Sequence, residues 1–109
     1  MIRRNGDYEA SLRENMRGGA GTVRIEHFWK AGELKSSTRL CARLTLAPGT
    51  SIGFHEHSDE EEVFIVTRGA GRVDDDGEES DVRAGDTILT GGGRGHSVRA
   101  VGDEPLERI

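Results

Sequence analysis

The sequence has little of what disulfide-stapled and membrane-spanning proteins require. It contains one cysteine, Cys41, so no internal disulfide can form. Apolar residues make up 33% of its 109 residues, and none of its apolar runs approaches the roughly 18 residues that a membrane-spanning helix needs. The first ten residues include arginines but no apolar segment behind them, unlike a secretory signal peptide. We therefore expect a soluble, cytoplasmic protein that does not enter a membrane.

The sequence also lacks a cluster of basic residues. Its 15 lysines and arginines are scattered among 20 acidic residues, which leaves a formal net charge of -5. A surface that binds nucleic acid needs positive charge concentrated on one face. We predict no nucleic-acid partner.

Cys41 lies in the apolar run RLCARLTL, which predicts a buried structural thiol rather than a nucleophile.

Glycine, in contrast, is abundant. The chain has 16 glycines, about twice the usual share of roughly 7%, and they fall between short runs rich in valine, isoleucine, leucine and threonine. This pattern predicts an all-β protein, either a sandwich or a barrel. The predicted strands are Thr22–Phe28, Leu40–Leu46, Ile52–Glu56, Glu62–Thr67, Gly71–Asp75, Glu79–Arg83, Thr87–Leu89, His96–Val101 and a short last strand near Leu106.

Two further local predictions concern a turn and the N-terminal region. The dipeptide Asp76-Gly77 separates two predicted strands and tolerates the positive φ angles of a two-residue hairpin turn. The segment from Asp7 to Arg17 can be interpreted as a short helix or as an extended stretch. We assign residues 1–109 to one domain and residues 1–21 to an N-terminal arm of it.

Four side chains are candidate metal ligands. His55 and His57 are two residues apart in FHEH, so on a strand they project to the same side about 7 Å apart. The strand that follows carries Glu62, and a turn at residues 91–93 precedes His96. Three imidazoles and one carboxylate suit Mn, Fe, Co, Ni, Cu or Zn, and octahedral geometry leaves two positions open. We therefore predict one divalent transition metal as cofactor.

Each of these sequence features also has an interpretation that involves no metal. A His-x-His pair is commonly two unrelated histidines, His96 alone fits a surface or core position, and the acidic run at 59–62 fits a solvated turn. The glycines at 91–93 could be interpreted as a phosphate-binding loop. However, no Lys-Ser or Lys-Thr follows and the next segment is a predicted strand, which argues against such a loop. The metal interpretation gains weight because its parts stand at fixed intervals from turn-forming glycines.

Those intervals resemble the first motif of the cupin family. Five residues separate Gly49 from His55, four separate His57 from Glu62, and six separate Glu62 from Gly69. The resemblance covers this whole stretch.

The second cupin motif is matched in part. It is similar from Gly85 through Gly93 to His96, while Gly91 stands where the family usually has proline and Ala100 where asparagine is common. The metal-ligating histidine is kept, so these departures bear on loop geometry.

The resemblance implies a cupin fold, a jelly-roll barrel or double-stranded β-helix, that holds the metal through His55, His57, Glu62 and His96. Taking strand phase from Glu62 and His96, we expect the pocket near the metal to be lined by Phe64, Val66 and Val98.

Our first functional hypothesis is a metalloenzyme that oxygenates, decarboxylates or isomerises a small carboxylated or enolisable molecule. The alternative hypotheses are a non-catalytic module that binds or senses a small, anionic ligand and, with less support, a purely structural role. Oxalate-acting cupins usually have arginine or asparagine three residues before the first metal histidine, and Ile52 stands there, which weakens an oxalate assignment. The sequence identifies no further acid or base.

We also predict a homodimer, because the predicted strand at 22–28 would leave a sheet edge open.

Overall fold

Ten β-strands and two 3₁₀ turns make up the regular structure of the chain. The computed structural model describes all 109 residues, Met1–Ile109. It contains no helix with the length and apolar character needed to cross a membrane. Nine of the strands correspond to the nine predicted ones, with ends that differ by at most two residues. The strands are β1 (Glu9–Glu14), β2 (Thr22–Lys30), β3 (Leu40–Leu46), β4 (Ser51–Glu56), β5 (Glu61–Arg68), β6 (Ala70–Asp75), β7 (Glu78–Arg83), β8 (Thr87–Gly91), β9 (Gly95–Val101) and β10 (Leu106–Arg108).

The strands form two antiparallel sheets, as the all-β jelly-roll prediction requires. The larger sheet has the order β1-β2-β3-β10-β5-β8, and the smaller has the order β4-β9-β6-β7. Consecutive strands repeatedly alternate between the sheets, so that β4 and β5 lie in different layers. Residues close in sequence can therefore face each other across the interior.

Period-two alternation places the core between the sheets. In β3 the residues Ala42, Leu44 and Leu46 are buried, whereas Cys41 and Arg43 belong to the opposite phase. Cys41 is only half-buried on the outer face, so the prediction of a buried thiol is wrong. The apolar core consists of Val23, Ile25, Ala42, Leu44, Leu46, Ile52, Phe64, Val66, Val73, Val98, Ala100 and Leu106.

The hairpin between β6 and β7 turns where the sequence predicted. Asp76 and Gly77 have φ angles of 51° and 96°, as a two-residue turn of this hand requires. The N–H of Gly77 donates a hydrogen bond of 2.7 Å to Oδ1 of Asp74, which closes the turn. The hairpin prediction is confirmed.

The N-terminal segment joins the larger sheet. Strand β1 pairs with β2 from Glu9 opposite His27 to Glu14 opposite Thr22, and a 3₁₀ turn follows at Met16–Gly18. The extended interpretation of this stretch therefore describes β1, and a helix spanning it does not form. Because β1 pairs with β2, strand β2 is not an edge strand, and the edges of the larger sheet are β1 and β8. The open edge at β2, from which we predicted a dimer, therefore does not exist.

Candidate metal centre

A β-bulge in β4 turns His55 into the interior. The pairing of β4 with β9 shifts register between Ile52 and His55, which stand opposite Val98 and His96. Simple alternation would place Ile52 and His55 on opposite faces, but the extra residue of a bulge changes the phase of the strand. Ile52 is accordingly buried, while Phe54 is turned outward and is 50% exposed. The bulge, which the sequence did not reveal, determines where the first histidine points.

Glycine at position 53 lets the 3₁₀ turn at Met16–Gly18 pack against this bulge. A Cβ atom added to Gly53 would lie 2.0 Å from the carbonyl oxygen of Arg17, so the 3₁₀ turn can pack here only against a glycine. The Gly53 carbonyl oxygen is 2.8 Å from Nδ1 of His55. Since a carbonyl can only accept, Nδ1 carries the proton and the neutral ring presents the lone pair of Nε2 to the interior.

The second histidine is held by a carboxylate from the loop that follows it. Nδ1 of His57 lies 3.3 Å from Oε1 of Glu60, and Arg39 donates to both oxygens of Glu60. The hydrogen bonds from Arg39 are the main cause of the lowered pKa of Glu60. The acidic run at 59–62 is therefore not simply a solvated turn, because Glu60 supports His57 and Glu62 faces the interior.

The third histidine returns to the same region after the glycine turn. Gly92 and Gly93 have φ angles of 64° and 85°, and β9 begins two residues later. His96 is buried, and its Nδ1 lies 2.9 Å from Oγ1 of Thr90 on β8. The chain after these glycines is a strand, as predicted, so no phosphate-binding loop forms.

The two carboxylate oxygens of Glu62 have different partners. Oε1 accepts a hydrogen bond of 2.9 Å from Nη1 of Arg108. Oε2 lies 2.8 Å from Nε2 of His57 and 3.2 Å from Nε2 of His96. Arg108 thus holds one oxygen while the other faces the histidines. This arginine comes from the short strand β10 and is not among the residues predicted from the sequence.

Burial and neighbouring charges set the ionisation of the group. Burial alone would raise the pKa of Glu62, but the hydrogen bond with His96 and the charge of Arg108 together lower it to about 2. Burial lowers the pKa of His55. The carboxylate is therefore ionised and the His55 imidazole neutral near pH 7, which are the forms that coordinate metal.

The four side chains fit a single divalent ion. Nε2 of His96 is 3.2 Å from Nε2 of His57 and 3.1 Å from Nε2 of His55, and the candidate ligand atoms of all four side chains lie within 4.8 Å of one another. Ligands about 2.1 Å from an ion and at right angles to each other stand about 3.0 Å apart. Lone pairs that face one another at this spacing are stabilised by a cation at their centre.

The predicted pocket residues Phe64, Val66 and Val98 all lie in the buried core. The Phe64 ring centroid is 6.0 Å from that of His96, and Cζ of Arg108 lies 4.5 Å from the Phe64 ring centroid. Their role as walls of a ligand pocket stays a prediction. A cleft of about 270 Å³ exists elsewhere, on the outer face of the smaller sheet, and none of the four candidate ligands lines it.

Comparison with known proteins points to one family. The family model described as Cupin domain matches residues 42–109. The oxalate-binding protein of Thermotoga maritima is 35% identical over 107 residues, which cover 98% of this chain and 88% of that protein. The crystal structure of a predicted oxalate decarboxylase from Thermotoga maritima matches with a TM-score of 0.94 and 34% identity over 99% of this chain and 94% of that one. A Cupin 2 conserved barrel domain protein from Salinispora arenicola, at 23% identity and a TM-score of 0.69, shares the fold over 99% of this chain and 83% of its own.

Proposed function

The chain belongs to the cupin family, and on this basis we propose that it binds one divalent transition metal ion and holds a small carboxylate anion on it. The observation that carries the proposal is the convergence of three imidazole Nε2 atoms and one carboxylate oxygen from three strands and a loop. The ligands would be His55, His57, Glu62 and His96. When bound, the ion supplies a Lewis acid or a site for dioxygen.

A small anionic ligand is supported by charge and by similarity. Four ligands leave two positions of an octahedral ion for a chelating molecule. The interior next to the site is apolar apart from the four ligands, Thr90 and Arg108, which favours a compact ligand with few polar groups. A relative at 35% identity is named an oxalate-binding protein. Oxalate and related small carboxylates are therefore the first ligands to test, although Ile52 departs from the residue usual in oxalate-acting cupins.

Elemental analysis and calorimetry test this proposal. Protein purified without a metal-affinity tag should contain close to one equivalent of Mn, Fe, Co, Ni, Cu or Zn per chain. The loaded protein should bind oxalate in a titration, and protein treated with a chelator should not. Absence of stoichiometric metal, together with failure to take up any of these ions, would contradict the proposal.

Turnover of the bound anion is a second candidate function. It is favoured by the open coordination positions, which suit oxygenation, decarboxylation or isomerisation. Binding without turnover is favoured by the surroundings, since Arg108 is the only buried ionisable side chain besides the candidate ligands. Incubating the Mn, Fe and Ni forms with oxalate, while recording dioxygen consumption and the disappearance of oxalate, separates the two. Consumption of either reactant supports an enzyme, and binding without consumption supports a carrier or sensor.

We also propose a homodimer, now on the basis of an apolar patch on the larger sheet. Val63 and Leu89 are cross-strand neighbours on the outer face of β5 and β8 and are 61% and 60% exposed. Ile65 follows in the same phase, and its backbone pairs with that of Ile109, which is also exposed. Contiguous exposed apolar side chains of this kind commonly mark an interface between subunits.

Light scattering on a sizing column tests the dimer. The wild type should elute with the mass of two chains at micromolar concentration, and Leu89→Asp should elute as one chain. Leu12→Asp changes an exposed leucine on β1, outside the patch, and should leave the dimer intact. A monomeric wild type would overturn this assignment.

A further inference from the structure

Arg108 is the only lysine or arginine buried in the protein, at 6% exposure. Its one hydrogen bond runs from Nη1 to Oε1 of Glu62, and its Nε is buried without any partner. A buried N–H without an acceptor costs free energy, and the cost is greater for a charged group. The contact with Glu62 therefore uses only one of the hydrogen-bond donors of Arg108.

The guanidinium of Arg108 lies beside the candidate metal centre. Nη1 is within hydrogen-bond distance of a candidate ligand, and Cζ lies above the Phe64 ring, which in turn neighbours His96. A guanidinium is planar, carries five N–H donors and binds a carboxylate with two parallel hydrogen bonds. With Nη1 engaged by Glu62, Nη2 and Nε both keep N–H donors that have no acceptor in the protein.

The charges around the site indicate how much negative charge the bound ligand should carry. The imidazoles coordinate as neutral groups, and the charges of Glu62 and Arg108 cancel. Nearby, Glu60 and Arg39 form a pair that also cancels. A divalent ion therefore gives the site a surplus of two positive charges, in surroundings where uncompensated charge is costly. A dianion removes the surplus, and a monoanion leaves half of it.

We propose that Arg108 recognises a carboxylate group of the metal-bound ligand through the N–H donors that Glu62 leaves free, so that the loaded site selects dianions over monoanions of the same size. The inference rests on the proposed function, since it concerns a ligand held on the ion. It identifies the ligand class as small dicarboxylates and gives Arg108 a role in specificity in addition to holding Glu62.

Oxalate and glycolate form a matched pair of probes. Both have two carbons and chelate a metal through a five-membered ring, but oxalate carries two negative charges and glycolate one. Protein loaded with one equivalent of Mn²⁺ and freed of excess ion is titrated with each anion in a calorimeter. A dianion binds free Mn²⁺ more tightly than a monoanion does, so the contribution of Arg108 is measured as the change that its substitution causes in the ratio of oxalate affinity to glycolate affinity.

Substitution of Arg108 tests the assignment itself. In Arg108→Gln, oxalate affinity should fall about 10- to 100-fold while glycolate affinity changes less than about threefold. Arg108→Lys keeps the charge but not the planar fork, and its loss of oxalate affinity should be smaller; it serves as the test variant if the glutamine variant does not fold. Arg43→Gln breaks another arginine–glutamate pair, on the outer face of the larger sheet, and should leave both affinities unchanged.

The readouts separate failure of this inference from failure of the proposed function. Metal affinity of each variant is measured by competition with a chromophoric chelator. If the wild type takes up no metal, or binds metal but neither anion, the proposed function fails and this inference with it. If the wild type binds oxalate and Arg108→Gln has the same ratio of oxalate affinity to glycolate affinity as the wild type, or loses both anions by one factor together with metal, then Arg108 only holds Glu62 and the inference is wrong.

Discussion

Each histidine of the candidate centre has its Nδ1 atom in contact with a polar group outside the centre. The partners are a backbone carbonyl at Gly53, a carboxylate at Glu60 and a hydroxyl at Thr90. Such contacts hold the orientation of an imidazole, and the carbonyl and the carboxylate, which only accept, also place the proton on Nδ1. The three rings thus present Nε2 without having to reorganise, and the side chains that support them matter almost as much as the ligands themselves.

Removal of one imidazole should abolish tight metal binding. We expect His57→Ala to lower the affinity for Mn²⁺ or Zn²⁺ at least about 100-fold, since loss of an outer partner alone typically costs 10- to 100-fold. Competition with a chromophoric chelator measures the change. The control is His27→Ala, because His27 lies on β2 beside Ser11, away from the centre. Equal affinities for the wild type and His57→Ala would contradict the ligand assignment.

Among the residues of the centre, the four candidate ligands could be predicted from the sequence, and the structure brings them together; the groups that support them could not. The candidate ligands could be predicted because the spacing of histidines, glutamate and turn glycines carries a pattern. Glu60 carries none, since one acidic residue in a run of four looks like its neighbours until the fold brings His57 and Arg39 to it. A signal for Arg108 did exist: it is two residues after the inward-facing Leu106 and hence in the same phase.

Among the elements, the bulge in β4 has the greatest effect on the site. We expect Gly53→Ala to destabilise the protein by about 2–4 kcal/mol, because a backbone carbonyl stands where the new Cβ must go. It should also weaken metal binding, since His55 would turn from the interior. Gly32→Ala is the control, because nothing lies within 4 Å of its added Cβ. Urea denaturation measures stability, and equal midpoints for the two variants would show that the bulge tolerates a side chain.

The pairing of β2 with β3 contributes a pH-dependent cross-strand ion pair. Glu26 and Arg43 are register partners joined by hydrogen bonds of 2.8 and 3.1 Å, and these lower the pKa of Glu26. A depressed carboxyl pKa adds stability above the unfolded value of about 4.3 and loses it as pH falls through the folded value. Glu26→Gln should therefore cost about 0.5–1 kcal/mol at pH 7. In chemical denaturation the difference from wild type should shrink as the pH falls below about 4.3 and on through the folded value; a difference that stays constant as the carboxyl becomes protonated would contradict the pairing.

Strand prediction was exact for β3, where apolar residues alternate, and missed β1, where they do not. β3 alternates cleanly and was predicted to the residue. β1, with the sequence EASLRE, is exposed along its whole length and has no buried phase to detect. Its existence depends on backbone pairing with β2, which is a tertiary effect. The register shift in β4 escaped prediction because it is a property of the pairing with β9, and no residue pattern in β4 marks it.

At the scale of the whole molecule, the candidate centre joins the two sheets. His55 and His96 come from the smaller sheet, and Glu62 comes from the larger one. An ion bound at a concentration roughly 1,000 times its Kd stabilises the folded state by about 4 kcal/mol. For a chain of this length we expect the melting temperature to fall by about 15 °C or more when a chelator removes the ion. Calorimetry with and without chelator checks this, and His57→Ala should show almost no chelator effect.

The position of β10 has a consequence for how the molecule assembles. This three-residue strand lies between β3 and β5, and it pairs with residues about 40 to 60 positions earlier in the chain. Until it docks, the larger sheet exists as two separate halves. Contacts that span such long stretches form late, because the loops they close must first lose their entropy. Refolding should therefore proceed through β-hairpins that form early and a slow final step, in which the insertion of residues 106–108 closes the sheet and delivers the guanidinium to its carboxylate.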